Sequence, residues 1–436
     1  MPCENQADSP PGFFMPERCS PAHKMRCMTT PDLQISTHLI HHPYQPPEGF
    51  VAPQPPVHKA STVIFENVAA MRRRQWLDKS SYTYGLHGTP TTFLLEERLS
   101  ALEGGLQCLL VPSGLAAIAT TSLALLRTGD EMLLPDNAYG PNKTLSEGEL
   151  AHFGVRHQCY DAMDVADLEA KITPKTRLVW LEAPGSVTME FPDLIAMVRL
   201  CRERGITTVL DNTWGAGLAF NPFDLLADGA HSLGVDATVH ALTKYPSGGG
   251  DVLMGSIITR DQALHMRIKL AHMRLGLGVG GNDTEAVLRS LPSIALRYHA
   301  QDRAARELAR WLQQQPAVAQ VLHPALEGAP GHENWKALCG AAAGGEGVAA
   351  GLFSVVIDPR HGQQAVDRFC DSLRLFKIGY SWGGPISLVV PYELSSMRSC
   401  PTPQLRSGTV VRFAIGLEAV QDLRADLEQA LAAAFA

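Results

Sequence analysis

Lys244 stands in HALTKYPSGGGD, behind an apolar run and ahead of a glycine cluster, and Asp211 ends a second apolar run, ITTVLD. A lysine after a strand is ordinarily a solvated surface group. Two such strand ends side by side change the reading, because both side chains then project from the carboxyl edge of one sheet into one crevice. A carboxylate buried there needs a cationic partner, and a buried lysine becomes a nucleophile once its pKa falls. A pyridoxal cofactor satisfies both: the lysine forms the Schiff base and the aspartate keeps the pyridine nitrogen protonated.

Such a cofactor also needs a phosphate site. The turn Pro112-Ser113-Gly114-Leu115 joins CLLV to the helical run LAAIATTSLALL, which sets free backbone N–H groups and the positive end of a helix dipole at the crevice. A Ser-Gly turn alone is weak evidence; its position, and the Thr243 hydroxyl beside Lys244, give it weight. Tyr139, in DNAYGP, is either a ring stacked on a planar ligand or a core tyrosine. Arg412 lies inside the apolar strand TVVRFAIG and must meet an anion there, either a structural salt bridge or a substrate carboxylate. The segment GYSWGG can bring Tyr380, Ser381 and Trp382 to the same place, its glycines permitting close backbone approach. Gly276, Gly278 and Gly281 in LGLGVGG imitate a dinucleotide fingerprint, but polar MRIKLAHMR precedes them where a strand is required, so that reading fails.

These residues need a scaffold. From about residue 91 to residue 290, helical patterns alternate with short apolar runs: CLLVPSG, EMLLPD, VRHQCY, LVWLEAP, ITTVLDN, DATVHALTK and VLMGSIIT. This pattern predicts parallel strands buried between helices, with ligands beyond their carboxyl ends. After Gly281 a long amphipathic helix is expected, with Leu296, Ala300, Ala304, Leu308 and Leu312 inward, leading into a second, smaller α/β domain over residues 291–436. That domain takes the strands GLFSVVID and TVVRFAIG, a strand and loop at LRLFKIGYSWGG, and a closing helix with Leu423, Leu427 and Leu431 inward. The small-residue stretch from Cys339 to Gly351 reads as a flexible surface loop. Proline-rich residues 29–90 read as an arm lying on another surface, as in an oligomer, and residues 1–28 as a disordered extension, with Met28 a possible natural start.

Composition narrows the function classes. The 436 residues are 45% hydrophobic and carry a formal charge of -7, with no basic stripe for nucleic acid. No run is long and apolar enough to cross a membrane or act as a signal peptide. The nine cysteines are scattered, without a CxxC pair or interleaved histidines, which fits reduced thiols in a cytoplasmic protein and argues against structural zinc; no metal site is expected.

Taken together, LEAPGSVTMEFPD, LDNTWGAG, ALTKY, GYSWGG and VVRFAIGLE resemble the pyridoxal-phosphate enzymes of cysteine and methionine metabolism, from about Thr29 to the end, and most closely their cystathionine β-lyase branch. The resemblance implies an aspartate aminotransferase-like fold, type I, assembled as a homotetramer of active dimers. It implies pyridoxal 5'-phosphate on Lys244, Asp211 at the pyridine nitrogen, Tyr139 stacked on the ring, and Ser113, Gly114, Leu115 and Thr243 at the phosphate. Tyr84 would reach the neighbouring subunit's phosphate, and Arg412 would grip the substrate α-carboxylate beside Ser381 and Trp382. The implied reaction is β-elimination of cystathionine, or a close sulfur amino acid, to a thiol, pyruvate and ammonia. A γ-lyase, γ-synthase or sulfhydrylase is the alternative within the family, and a non-catalytic binding protein the alternative outside it. Four positions depart from the family's pattern. Leu86 and His87 stand where arginines are common, Gly249 where histidine is, and Ser186 where the γ-enzymes place asparagine, which favours the β-lyase branch.

Overall fold

A computed structural model describes residues 35–40, 48–49, 52–340 and 346–435; the extension expected at residues 1–28 lies outside them. Each of the seven apolar runs forms a strand: β1 Gln107–Val111, β2 Glu131–Pro135, β3 Arg156–Tyr160, β4 Thr176–Glu182, β5 Thr207–Asp211, β6 Ala237–Ala241 and β7 Gly255–Thr259. They make one sheet in the order β1-β7-β6-β5-β4-β2-β3. It is mixed, not wholly parallel as expected: β7 runs antiparallel to both β1 and β6. The other six strands share one direction, so β1, β2, β4, β5 and β6 deliver their carboxyl ends to one edge.

Both faces of this sheet are covered. Leu133, Val179, Leu181 and Leu210 enter one apolar cluster, while Met132, Leu178, Trp180 and Val209 enter another against the helices Gly114–Leu125 and Gln262–Leu275. Alternate residues of a strand face opposite sides, which explains why near-continuous apolar runs were required.

A second, five-stranded sheet in the order β10-β11-β12-β9-β8 contains β8 Val318–Leu322, β9 Leu352–Ile357, β10 Lys377–Ile378, β11 Leu388–Tyr392 and β12 Thr409–Ala414. The connecting helix runs Ile294–Leu312, but its buried face is Ile294, Ala295, Tyr298, Ala305, Leu308, Ala309 and Leu312. Leu296 is 74% exposed, a correction to the expected inward set. A strict spacing of four overshoots the 3.6-residue turn at each step, and over four steps the stripe leaves the core face. The closing helix, Val420–Phe435, buries Leu423 and Leu427 and half-buries Leu431. The stretch from Cys339 to Gly351 is not a surface loop at its ends: Cys339, Ala349 and Ala350 are fully enclosed. Small side chains there allow tight packing, and residues 341–345 lie outside the described set.

Two carboxylates tie the β11–β12 connector to the large sheet. Asp136, just after β2, accepts from the Ser399 and Cys400 backbone N–H groups at 2.9–3.0 Å and 2.9 Å and pairs with Lys143 at 3.0 Å. Glu190 pairs with Arg398 at 2.7 Å and accepts from Asn137 Nδ2 at 2.9 Å. The two sheets are thus fixed relative to each other beside the edge where the strands end.

Candidate active site

Lys244 sits in the turn after β6, with its Nζ 3.2 Å from Ser381 Oγ and 5.6 Å from the centre of the Trp382 ring. Burial depresses its pKa, nearby Arg412 depresses it further, and Asp211 partly opposes both. The loop carrying Ser381 and Trp382 reaches Lys244 only because residue 383 is glycine. Its φ is +76°, and a Cβ there would lie 2.9 Å from the Tyr245 nitrogen.

Asp211 ends β5 and accepts from the Thr213 backbone N–H at 3.0 Å and the Thr213 hydroxyl at 2.5 Å. No lysine or arginine lies within 4 Å of it among the described residues. Burial therefore pushes its carboxyl above the usual range despite those bonds. A cation placed beside it would reverse that shift.

The helix Gly114–Leu125 begins at the same edge, with Ser113 as its cap and the Ser113 hydroxyl accepting from Ala116 N–H at 3.0 Å. Its first N–H groups, those of Gly114 and Leu115, have no acceptor within the helix. A Cβ at Gly114 would fall 2.6 Å from the Ala241 Cβ, so glycine alone lets this helix start so close to β6, Thr243 and Lys244. Tyr139 follows β2 and caps the helix Gly140–Leu145; its ring is 42% exposed and its phenol is held above its ordinary pKa by burial, Asp211 and Glu182.

Arg412 is 7% exposed on β12. It donates to the Tyr380 carbonyl at 2.9 Å and lies 5.3 Å from the Tyr392 ring centre, with no carboxylate within 4 Å among the described residues. Of the two readings of this arginine, the structural salt bridge finds no partner. Lys244, Asp211, Tyr139, Ser113, Gly114, Leu115, Thr243, Ser381, Trp382 and Arg412 thus share one region. Tyr84 does not join it within this chain: it pairs with Thr62 and stays 44% exposed. Tyr392, and Glu182 at the end of β4, were not anticipated from sequence; Glu182 carries the signal that Asp211 carries, a carboxylate closing an apolar run.

A family model described as "Cys/Met metabolism PLP-dependent enzyme" matches residues 36–432. The chain belongs to that family. It is 36% identical to a cystathionine beta-lyase from Bordetella avium, over 90% of this chain and 96% of the relative. It is 32% identical to an L-methionine gamma-lyase from Pseudomonas putida, over 92% and 97%. The crystal structure of metB from Corynebacterium glutamicum superposes with a TM-score of 0.79 at 28% identity, covering 92% of this chain and 98% of that one. The chain is a pyridoxal 5'-phosphate enzyme of fold type I, and its own residues fit that cofactor: an amine of lowered pKa, a carboxylate wanting a cation, and helix N–H groups wanting an anion.

Leu86 and His87 lie elsewhere. Leu86 rests against Gly278, and His87 stacks on Trp76 at 5.1 Å between ring centres. Burial, with the charges of Lys269 and Arg74 and the neighbouring His272 ring, holds the His87 pKa below its ordinary value. A lowered pKa disfavours the protonated form through which His87 would supply charge to a cofactor phosphate. We expect the affinity of apoenzyme for cofactor to change equally in wild type and His87→Ala between about pH 7 and about pH 8.5, since a depressed histidine is mostly neutral across that range. A pH effect present in wild type and absent from the variant would show the ring to be charged.

Proposed function

We propose that this enzyme eliminates the β-sulfur substituent of cystathionine or a close sulfur amino acid, giving a thiol, pyruvate and ammonia. The observation that carries this reading is the Arg412 guanidinium, buried beside the Lys244 amine without a carboxylate partner among the described residues: one binds a substrate α-carboxylate while the other reaches its α-carbon. Lys244 would hold the cofactor covalently, Asp211 its pyridine nitrogen, and Ser113, Gly114, Leu115 and Thr243 its phosphate, with Tyr139 over its ring. When bound, pyridoxal 5'-phosphate supplies the sink for the electron pair left at the α-carbon. Asp211 aids that sink by a charge fixed before the reaction begins.

Lys244, with its depressed pKa, takes the α-proton as general base near neutral pH. The β carbon-sulfur bond then breaks, and Lys244 or the protonated Tyr139 phenol gives the leaving sulfur its proton. Water hydrolyses the remaining three-carbon fragment to pyruvate and ammonia. Ser381 and Trp382 line the substrate's path beside the amine. The exposed Tyr84 and the arm around it fit a homotetramer of active dimers in which Tyr84 completes a neighbour's site. A cytoplasmic location accords with the six described cysteines, all free.

The relative named as a gamma-lyase makes γ-elimination the competing reading. Identification of the keto acid formed from cystathionine separates them. Pyruvate with homocysteine is expected; 2-oxobutyrate with cysteine would overturn the assignment.

A further inference from the structure

Glu182 and Asp211 are paired residues at the carboxyl ends of the adjacent parallel strands β4 and β5, so their side chains leave the same face of the sheet a strand spacing apart. The Glu182 carboxyl is fully committed. One oxygen accepts the Tyr139 backbone N–H at 2.8 Å, and the other lies 2.7 Å from the Ser186 hydroxyl. Those partners come from two different turns, after β2 and after β4, and each stands at the rim of the crevice above Asp211.

Tyr139 has no side-chain bond of its own to fix it: no partner for its phenol is found among the described residues, and its ring is 42% exposed. The N–H held by Glu182 thus ties the turn from which that ring projects to the end of β4, beside the Ala138 N–H bond to the Pro135 carbonyl and the Asn142 N–H bond to the Tyr139 carbonyl. We propose that Glu182 is the positioning residue of this site, its carboxyl tying the Tyr139 backbone and the Ser186 hydroxyl to the end of β4, so that ring and hydroxyl keep fixed places over Asp211. The inference rests on the reading of Tyr139 and Asp211 given above.

The surroundings of Glu182 disfavour its charged form. Burial and the Asp211 charge hold its carboxyl well above the ordinary range. The titratable groups that act with it are Asp211 from β5, the Tyr139 phenol from the turn after β2 and the Tyr160 phenol from β3. No lysine or arginine lies within 4 Å of it among the described residues.

Two variants of similar volume test the proposal. Glu182→Gln keeps an oxygen for the Tyr139 N–H and presents an amide N–H to the Ser186 oxygen, whereas Glu182→Leu fills the space and offers neither. The readouts are melting temperature, hydrogen–deuterium exchange at the Tyr139 amide, and cofactor-dependent exchange of the α-proton of L-alanine. L-Alanine has no leaving group, so its exchange does not depend on which bond the enzyme breaks. Glu182→Leu should melt no lower than wild type, because a carboxyl beside another carboxyl has been replaced by a packed apolar group. It should nevertheless lose Tyr139 amide protection and slow α-proton exchange by roughly tenfold, a fraction of what a full ångström of misplacement costs. Glu182→Gln should match wild type in all three. A Glu182→Leu protein with wild-type exchange at both protons overturns the proposal, and so does one that fails to fold, since the contacts would then be structural. A Glu182→Gln protein as slow as Glu182→Leu overturns it as well, because the carboxylate charge would be what matters. If wild type itself exchanges no α-proton, the reading of the site has failed and not the role of Glu182, which the Tyr139 amide still reports.

Discussion

Lys244→Ala is expected to lower kcat by at least about a thousandfold, within the range that a positioned general base contributes, while the protein still takes up pyridoxal 5'-phosphate noncovalently. The amine would serve twice, as covalent anchor and as the group that moves the α-proton. The remaining contacts lie on other elements: Asp211 on β5, and Ser113, Gly114 and Leu115 at the start of a helix. The fold should not suffer, because Lys244 Nζ makes one hydrogen bond, to Ser381, and its burial already disfavours the charged form. Other lysines near the interior are committed differently: Lys79 to Glu96, Lys143 to Asp136 and Lys269 to the Leu77 carbonyl. Borohydride reduction of the wild-type holoenzyme should therefore place one phosphopyridoxyl group on the Lys244 peptide. A label on another lysine, or a variant with wild-type turnover, would remove Lys244 from the mechanism. Product detection after a single turnover, with the visible spectrum recorded in parallel, separates lost chemistry from lost cofactor.

Apart from the partly exposed edge strand β3, RHQCY, the strands of the large sheet were legible because burial on both faces writes itself as near-continuous apolar runs. The direction of β7 was not, since GSIIT reads the same either way and only its pairing with β1 and β6 shows the reversal. β8 and β11 escaped notice for separate reasons: VAQVL is only partly buried over its first three residues, and LVVPY contains Pro391, which weakens a strand reading. Lys244 and Asp211 could be found because a charged residue closing an apolar run is physically costly without a purpose. Glu182 closes LVWLE in the same manner, yet its meaning depends on Tyr139 and Ser186, which approach from other turns. The enclosed ends of the stretch Cys339–Gly351 were illegible because alanine and glycine suit an exposed loop and a tight interior alike.

Arg412→Ala is expected to lower kcat/KM by at least about a hundredfold, chiefly through KM, because losing a charge-assisted contact to a carboxylate costs about 3 kcal/mol. The visible spectrum of the holoenzyme should change little, since Arg412 stands on β12, in the smaller sheet, and the cofactor contacts proposed here come from the larger. Stability discriminates between the two roles that sequence left open. Breaking a buried salt bridge leaves its other charge stranded and costs about 3–5 kcal/mol. Arg412 has no such partner among the described residues, only the Tyr380 carbonyl and the Tyr392 ring, so the variant strands no carboxylate and should melt close to wild type. Arg412→Lys should recover part of the loss, because an ammonium keeps the charge but not the two-pronged geometry. The most direct check compares a substrate amino acid with its decarboxylated analogue. Wild type should prefer the carboxylate-bearing compound by about the same hundredfold, and Arg412→Ala should not. A variant that retains the preference would show that another group binds the carboxylate. One that unfolds would show that the guanidinium, despite lacking a partner, holds β12 in place.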